Sequence, residues 1–155
     1  MRFVLHITLV ALLLVACGKD LSVEQEIIAA IQSMEERAEA GEHFQFMGHI
    51  SDDFRAQQGS MSRLEFHRFM IFQINQHRRL HANFFPIHVR ESGETMASAH
   101  FRLLVTGGGN LLPESGQVFD VETQWLLEGG DWMLSEANWE VARLPDLPTP
   151  RNQDQ

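Results

Sequence analysis

Apolar residues near the start of the chain recur at spacings of three and four, which is the period of a helix with one buried face. They are Val23, Ile27, Ile31, Met34 and Ala38. The spacing predicts a helix over about 23–40, with its acidic residues, Glu35 among them, mostly on the opposite side. Ser22 and Gln25 have the spacing of a capping box at its start, and Gly41 is suited to end it.

Two further helices are predicted before residue 77. A short one covers about 43–50, and the polar run Ser51-Asp52-Asp53 ends it as a turn or cap. Its predicted inward residues are Phe44, Met47 and Ile50. A second capping box over 62–65 opens a helix that runs to about residue 76. Its predicted buried residues are Leu64, Met70, Ile71 and Ile74, and Phe66, Phe69 and Phe72 make it aromatic.

After Arg79 the apolar residues alternate with polar ones, which is the period of strands. Four strands are predicted, over 80–90, 95–106, 117–128 and 132–141. Pro86 suggests an edge or a bulge in the first. In the second, Phe101 and Leu103 alternate with His100 and Arg102. The third places Phe119, Val121, Trp125 and Leu127 on one face, and Asp120, Glu122 and Gln124 on the other.

Helices followed by a run of antiparallel strands indicate an α+β fold, with the helices on the concave face of one curved sheet. The element order, with the closing turn Gly130-Asp131-Trp132, resembles the NTF2-like (cystatin-like, SnoaL-like) superfamily. The resemblance implies a cone-shaped cavity between helices and sheet, within a domain over 22–143. Residues 144–155 carry three prolines and few apolar side chains, so a disordered tail is predicted.

The first 16 residues have the character of an export signal. Met1-Arg2 gives a positive start, and the apolar run 3–16 would rise only about 21 Å as a helix, too short for a hydrocarbon core of about 30 Å. The four residues Leu14-Val15-Ala16-Cys17 resemble a bacterial lipoprotein box. That resemblance implies cleavage before Cys17, a lipid on its sulfur, and a short tether over 17–21. The alternative is an ordinary signal peptide or a buried helix.

Charge and cysteine content narrow the partners of the mature chain. Removal of residues 1–16 takes away Arg2, so the formal charge goes from −9 to −10. An acidic domain argues against nucleic acid, which needs a basic face. Cys17 is the only cysteine, so its lipidation would leave none for a disulfide or a thiol site. Because Gly18 follows it, the resemblance implies the outer membrane, with the domain facing the periplasm through its lipid anchor.

No catalytic motif, metal-site pattern or cofactor-binding pattern stands out in the sequence. The isomerases that the fold resembles use an Asp base and a Tyr donor, and this chain has no Tyr. Residues with suitable chemistry for a dehydratase are His49, Asp53, His67, His88 and His100. We take Asp53, His67 and Trp125 as cavity candidates. His77 and His81 have the spacing of metal ligands on a helix, but a solvated pair is favoured.

Three functions follow as hypotheses. The favoured one is a non-catalytic lipoprotein whose domain binds a small apolar ligand or an envelope protein. The others are an isomerase, dehydratase or hydrolase that uses the cavity, and an assembly module that forms a homodimer or docks through the outer sheet face. Two ionisable groups facing one cavity would favour the enzyme, and an apolar outer face would favour the module.

Replacement of Cys17 tests the anchor. We expect Cys17→Ser to leave the precursor uncut by the lipoprotein peptidase and to abolish lipid labelling, because the acylated sulfur is removed. Metabolic labelling with a radioactive fatty acid and the mobility of the precursor measure both effects. Normal processing and labelling of this variant would contradict the lipid-anchor hypothesis.

Overall fold

The computed structural model describes residues 21–76, 80–107 and 115–142. Its helices are α1 (Val23–Glu39), α2 (His43–Met47) and α3 (Arg63–Gln76). Its strands are β1 (Ile50–Ala56), β2 (Met61–Ser62), β3 (Leu80–Phe84), β4 (His88–Glu91), β5 (Met96–Gly107), β6 (Ser115–Glu128) and β7 (Asp131–Val141). The predicted signal, Cys17, residues 18–20 of the predicted tether and the predicted tail lie outside the described residues.

Helix α1 begins where its capping box predicts. The Ser22 hydroxyl accepts a hydrogen bond from the Gln25 backbone N–H at 3.3 Å, and the Ser22 N–H donates to the Gln25 side chain at 3.0 Å. These contacts satisfy donors that the first helical turn leaves unpaired. The residues it buries were all among the predicted apolar stripe: Ile27, Ile31, Met34 and Ala38. The predicted helix is therefore confirmed, with its end one residue earlier than expected.

The turn predicted at Ser51-Asp52-Asp53 is wrong, because these residues lie within strand β1. Strand β1 pairs in parallel with β7, with Ile50 opposite Leu134 and Ala56 opposite Ala137. Asp52 and Asp53 face solvent, while Phe54 is fully buried. The strand exists because a partner about eighty residues away supplies its backbone hydrogen bonds, which outweighs the local turn preference of the acids.

Two residues that are predicted to be buried, one on α2 and one on α3, are exposed. Phe44 is 71% exposed, and Phe46 packs into the core in its place. Leu64 is 58% exposed, because the inner stripe of α3 is displaced by two residues toward Phe66. Helix α2 ends at Met47, three residues before the predicted end, because Ile50 already belongs to β1.

One mixed, curved sheet of seven strands holds the rest of the chain. Its order is β2-β1-β7-β6-β5-β3, with β4 also paired to β5. Apart from the parallel β1–β7 pair, neighbouring strands are antiparallel. The last three predicted strands are confirmed, whereas the predicted strand 80–90 is divided into β3 and β4 around Pro86. Proline explains the division because it cannot donate to a strand ladder.

The helices cover the inner face of the sheet, as the α+β prediction requires. Inner-face residues of β5 and β6 are buried, as Ala99, Phe101, Val121 and Trp125 show, whereas His100, Glu122 and Gln124 are exposed. Leu127, predicted to face inward, is 36% exposed and lies one residue before the end of β6 at Glu128. The buried core lies entirely between Ile27 and Ala137. A chain that starts at Gly18 keeps the whole described core, so we expect it to fold without the first 17 residues.

A matched pair of phenylalanines tests the core. We expect Phe54→Ala, in a chain starting at Gly18, to lower the free energy of unfolding by about 3–5 kcal/mol, because it leaves a cavity at a fully buried position. Phe44→Ala makes the same chemical change at a 71% exposed position, and we expect a loss of less than about 1 kcal/mol. Urea denaturation measures both, and equal losses would contradict this fold.

Candidate functional site

A cavity of about 450 Å³ lies between the helices and the inner face of the sheet. Helix α1 forms one wall, α3 a second, and strands β3, β5, β6 and β7 form the floor. The walls and floor are mainly apolar. Among the aliphatic residues that line it are Ile31, Met34, Met70, Leu103, Val105 and Leu134.

Eight aromatic rings line this cavity: Phe46, Phe66, Phe69, Phe84, Phe101, Phe119, Trp125 and Trp139. The rings contact one another. Trp139 lies 5.8 Å from Phe69 and 6.0 Å from Phe66 between ring centroids, and Phe84 meets Phe101 edge-on at 5.2 Å. Such pairs are favourable at these separations, so the aromatic wall is preformed. Its faces offer contact area to a ligand at little conformational cost.

The polar atoms of Trp125 are already used by the protein. Its indole N–H donates to the Thr123 hydroxyl at 2.9 Å, and that hydroxyl donates to the Ala99 carbonyl at 3.0 Å. Trp125 is 1% exposed and lines the cavity. The residue therefore offers the cavity an apolar ring rather than a hydrogen-bond donor.

Glu35 is the only ionisable residue among the described residues that line the cavity. Burial raises the pKa of its carboxyl above 4.5, and the negative charges of Glu39 and Glu36 raise it further. The uncharged polar residues of the lining are Gln73, Gln117 and Thr123. The cavity is thus an apolar chamber with one acid on its wall.

The three residues that the sequence suggested as cavity candidates do not lie together in the structure. Trp125 lines the cavity, whereas Asp53 is exposed on β1 and His67 lies on α3 outside the lining. The His67 Nε2 atom is buried without a hydrogen-bond partner in the described part of the chain. Burial lowers its pKa, and the nearby His43 and Arg63 lower it further. Cys17 lies outside the described residues.

The other histidines do not converge on the cavity. His49 is bound to the Ser33 hydroxyl at 3.1 Å, and its pKa is lowered by burial and by Arg37, against an opposing effect of Asp131. His88 and His100 are opposite each other on the exposed outer face of the sheet. His81 pairs with Glu39 at 3.6 Å, and His77 lies outside the described residues.

The described ranges contain neither a candidate metal site nor a helix that could cross a membrane. No group of three or more His, Cys, Asp or Glu side chains is arranged to hold a metal ion in residues 21–76, 80–107 and 115–142. Within the same ranges, no helix combines the length and the apolar character needed to cross a bilayer.

The sequence pattern predicts Glu35 on the solvent side of α1, and this cavity residue is the one that the pattern does not identify. The structure shows it on the cavity wall beside Ile31 and Ala38. A signal was present in the spacing. Residue 35 follows Ile27 and Ile31 in steps of four, so it lies only about 40° around the helix from Ile31. An acid at such a position interrupts the apolar face.

Comparison with known proteins shows the fold. No protein-family model matches the chain, and no curated protein matches it. Among solved structures, it is similar to a cystatin-like protein of unknown function from Nostoc punctiforme, with a TM-score of 0.65, 16% identity, and coverage of 83% of this chain and 97% of that one. An NTF2-like protein from Pseudomonas putida has a TM-score of 0.65 at 14% identity, with 77% and 88% covered.

A third similar structure carries a suggested activity. It is a candidate dehydratase of the NTF2-like family from Streptomyces avermitilis, with a TM-score of 0.63, 13% identity, and coverage of 76% of this chain and 94% of that one. Identities this low show a shared fold and nothing finer. The domain therefore has the NTF2-like, cystatin-like fold that the element order predicted.

The raised pKa of Glu35 gives a prediction for stability against pH. The Glu35 carboxyl binds its proton more tightly in the folded state than in the unfolded chain. Its ionisation therefore lowers the free energy of unfolding as pH rises from about 4.5 through the raised pKa. We expect Glu35→Gln to raise the melting temperature at neutral pH and to have little effect at about pH 4, where the carboxyl is protonated in the folded state.

Thermal unfolding of the chain from Gly18, followed by circular dichroism at several pH values, measures this difference. Glu94→Gln is the matched control, because it removes one exposed negative charge from a turn far along the chain. A melting temperature for Glu35→Gln that changes with pH in parallel with the unsubstituted protein would contradict the burial of this acid.

Proposed function

We propose that this domain binds a small, mainly apolar molecule in its cavity and does so without catalysis, at the bacterial envelope. The observation that carries the proposal is the cavity itself: about 450 Å³, eight aromatic rings and a single ionisable group in the described lining. Small-molecule sites are concave, mostly apolar and of about 300–1,000 Å³, with few polar groups. The cavity has each of these properties.

The size of the cavity sets an expected affinity. Apolar surface transferred from water gains about 25 cal/mol per Å². A ligand of about 20 non-hydrogen atoms, at about 0.3 kcal/mol for each atom, gains roughly 6 kcal/mol in all. That free energy corresponds to a Kd on the order of tens of micromolar. The domain therefore suits reversible binding and release rather than permanent storage.

Absence of a paired group argues against catalysis in the cavity. General acid–base chemistry of the dehydratase or isomerase type needs a second group that moves or holds a proton. Glu35 has no ionisable neighbour in the described lining, and Asp53 and His67 lie elsewhere. The similarity to a candidate dehydratase supports a ligand cavity, because the two proteins share a fold. It does not identify any catalytic residue in this chain.

The outer face of the sheet gives less support to an assembly module. Its described side chains are largely polar: Arg102 and Asp120 form an ion pair at 2.8 Å, and Glu122 and Gln124 are exposed beside them. Contiguous apolar surface is the usual mark of a permanent protein interface. Ligand binding is therefore the better supported proposal, ahead of a homodimer through this face.

The proposed location rests on the lipoprotein box. With a lipid on Cys17, the four residues before Ser22 would span at most about 14 Å, so the domain would stay close to the membrane. The formal charge of −10 on the mature chain would keep the domain off an anionic surface. A bound apolar molecule would thus be held in the aqueous layer beside the bilayer.

A cavity-filling variant tests the binding site. We expect the chain from Gly18 to increase the fluorescence of the neutral dye N-phenyl-1-naphthylamine with a Kd on the order of tens of micromolar. Leu103→Trp should weaken this binding at least about tenfold, because the added ring occupies cavity volume. Circular dichroism confirms that the variant is folded.

The matched control is Leu104→Trp. Leu104 is the next residue on β5, is similarly half-buried, and does not line the cavity. We expect it to bind the dye as the unsubstituted chain does. Equal dye binding by all three folded proteins would place the dye elsewhere and contradict the cavity as the ligand site.

A further inference from the structure

The cavity lining has a consistent electrostatic character, and this deepens the proposed function, on which the inference rests. Its described residues include eight aromatic rings and one carboxyl group, and no Lys, Arg or His. Aromatic faces carry negative electrostatic potential and attract cations, as does a carboxylate. Both the aromatic rings and the carboxyl group of the lining therefore favour a positively charged ligand group and disfavour an anion.

Glu35 differs from Glu26 and Glu39 of α1, each of which has a partner. Glu26 accepts a hydrogen bond from the Trp132 indole at 2.9 Å. Glu39 accepts one from the Ala82 backbone N–H at 2.8 Å and lies 3.6 Å from the His81 ring. Within the described residues, the Glu35 carboxyl has no hydrogen bond or ion pair, although it is partly buried. An unpaired carboxylate removed from water is costly, so a partner would be stabilising.

The position of Glu35 suits contact with a bound molecule. It lines the main cavity and also a shallower groove between α1 and the connection from β3 to β4, where Asn83 and Phe85 are its neighbours. The carboxyl therefore lies at a boundary between the apolar chamber and the outside. A ligand whose apolar body fills the chamber would bring its polar end to this carboxyl.

We propose that the ligand is an apolar amine, whose hydrophobic body packs against the aromatic rings and whose ammonium group pairs with the Glu35 carboxylate. The pair joins an ammonium group, which can donate up to three hydrogen bonds, to a carboxylate that has no partner among the described residues. The other ionisable groups near it in the described part of the chain are Glu36 and Glu39 on α1 and the His81 imidazole beside Glu39. The two acids add to the attraction for a cation.

The pairing makes binding dependent on pH in a defined direction. Burial, with Glu39 and Glu36, raises the pKa of Glu35 in the free protein. Affinity for an amine should therefore rise as pH rises above 4.5 through that raised pKa, because the carboxyl becomes charged. A neutral ligand of the same shape should bind with little change over this range.

Three probes of matched shape test the proposal: 4-phenylbutylamine, 4-phenylbutan-1-ol and 4-phenylbutyrate. Their ability to displace N-phenyl-1-naphthylamine from the chain starting at Gly18 is measured at neutral pH. We expect the amine to bind at least about tenfold more tightly than the alcohol, since a hydrogen bond to a charged group exceeds a neutral one. The carboxylate should bind most weakly.

Two variants assign the preference to one residue. Glu35→Gln keeps the shape of the side chain, and we expect it to bring the amine to the affinity that the alcohol has for the same variant. Glu36→Gln makes the same change at the next, exposed position of α1, and we expect it to keep most of the preference. An amine preference that persists in Glu35→Gln would overturn the assignment.

The outcomes separate this inference from the proposed function. If the dye and the alcohol bind but the amine has no advantage, the ligand class is wrong and the apolar cavity stands as the binding site. If the carboxylate binds best, the charge argument is reversed and the inference is wrong. If neither the dye nor any of the three probes binds, the proposed function itself fails.

Discussion

The structure depends on one geometric constraint: the helices that pack on the curved sheet leave a cavity over part of its inner face. The α1 stripe of Ile27, Ile31, Met34 and Ala38 packs on the inner face, and Phe66 on α3 closes part of the remaining space. A cavity of about 450 Å³ lies between them. The side chains that line it have no protein atoms packed against them on that side, so they lack some of the dispersion contacts that close packing supplies. A ligand of matching shape would restore those contacts, so the same constraint that shapes the fold also creates the site.

Most of the fold could be predicted from periodicity, because periodicity reports which face of an element is buried. Helix α1 and strands β5, β6 and β7 were predicted to within two residues, since each has a regular stripe and turn residues at its ends. Strand β1 was missed because its stability comes from β7, a partner far along the chain. Its own residues, Ser51, Asp52 and Asp53, favour a turn when they are considered alone.

The site was less predictable than the fold. Trp125 was identified from strand alternation, but Glu35 was assigned to solvent because its charge outweighed its position on the apolar stripe. Asp53 and His67 are predicted from their side-chain chemistry, which does not indicate whether a side chain faces the cavity. Asp53 is exposed on β1, and His67 on α3 lies outside the lining. The cavity depends on how the helices pack against the sheet, and a local sequence pattern does not predict that packing. The sequence does show that the chain is rich in phenylalanine, the residue type that supplies most of the cavity's aromatic rings.

The most direct test of the account is NMR of the chain from Gly18, labelled at the methyl groups of Ile, Leu, Val and Met and titrated with 4-phenylbutylamine. The account predicts that shifts are concentrated at lining residues such as Ile31, Met70, Leu103 and Val121, with intermolecular contacts from the phenyl ring to the same methyl groups. Leu104 and Met133, which do not line the cavity, should stay nearly unchanged. Shifts confined to surface residues, with the lining methyl groups unaffected, would contradict an internal binding site.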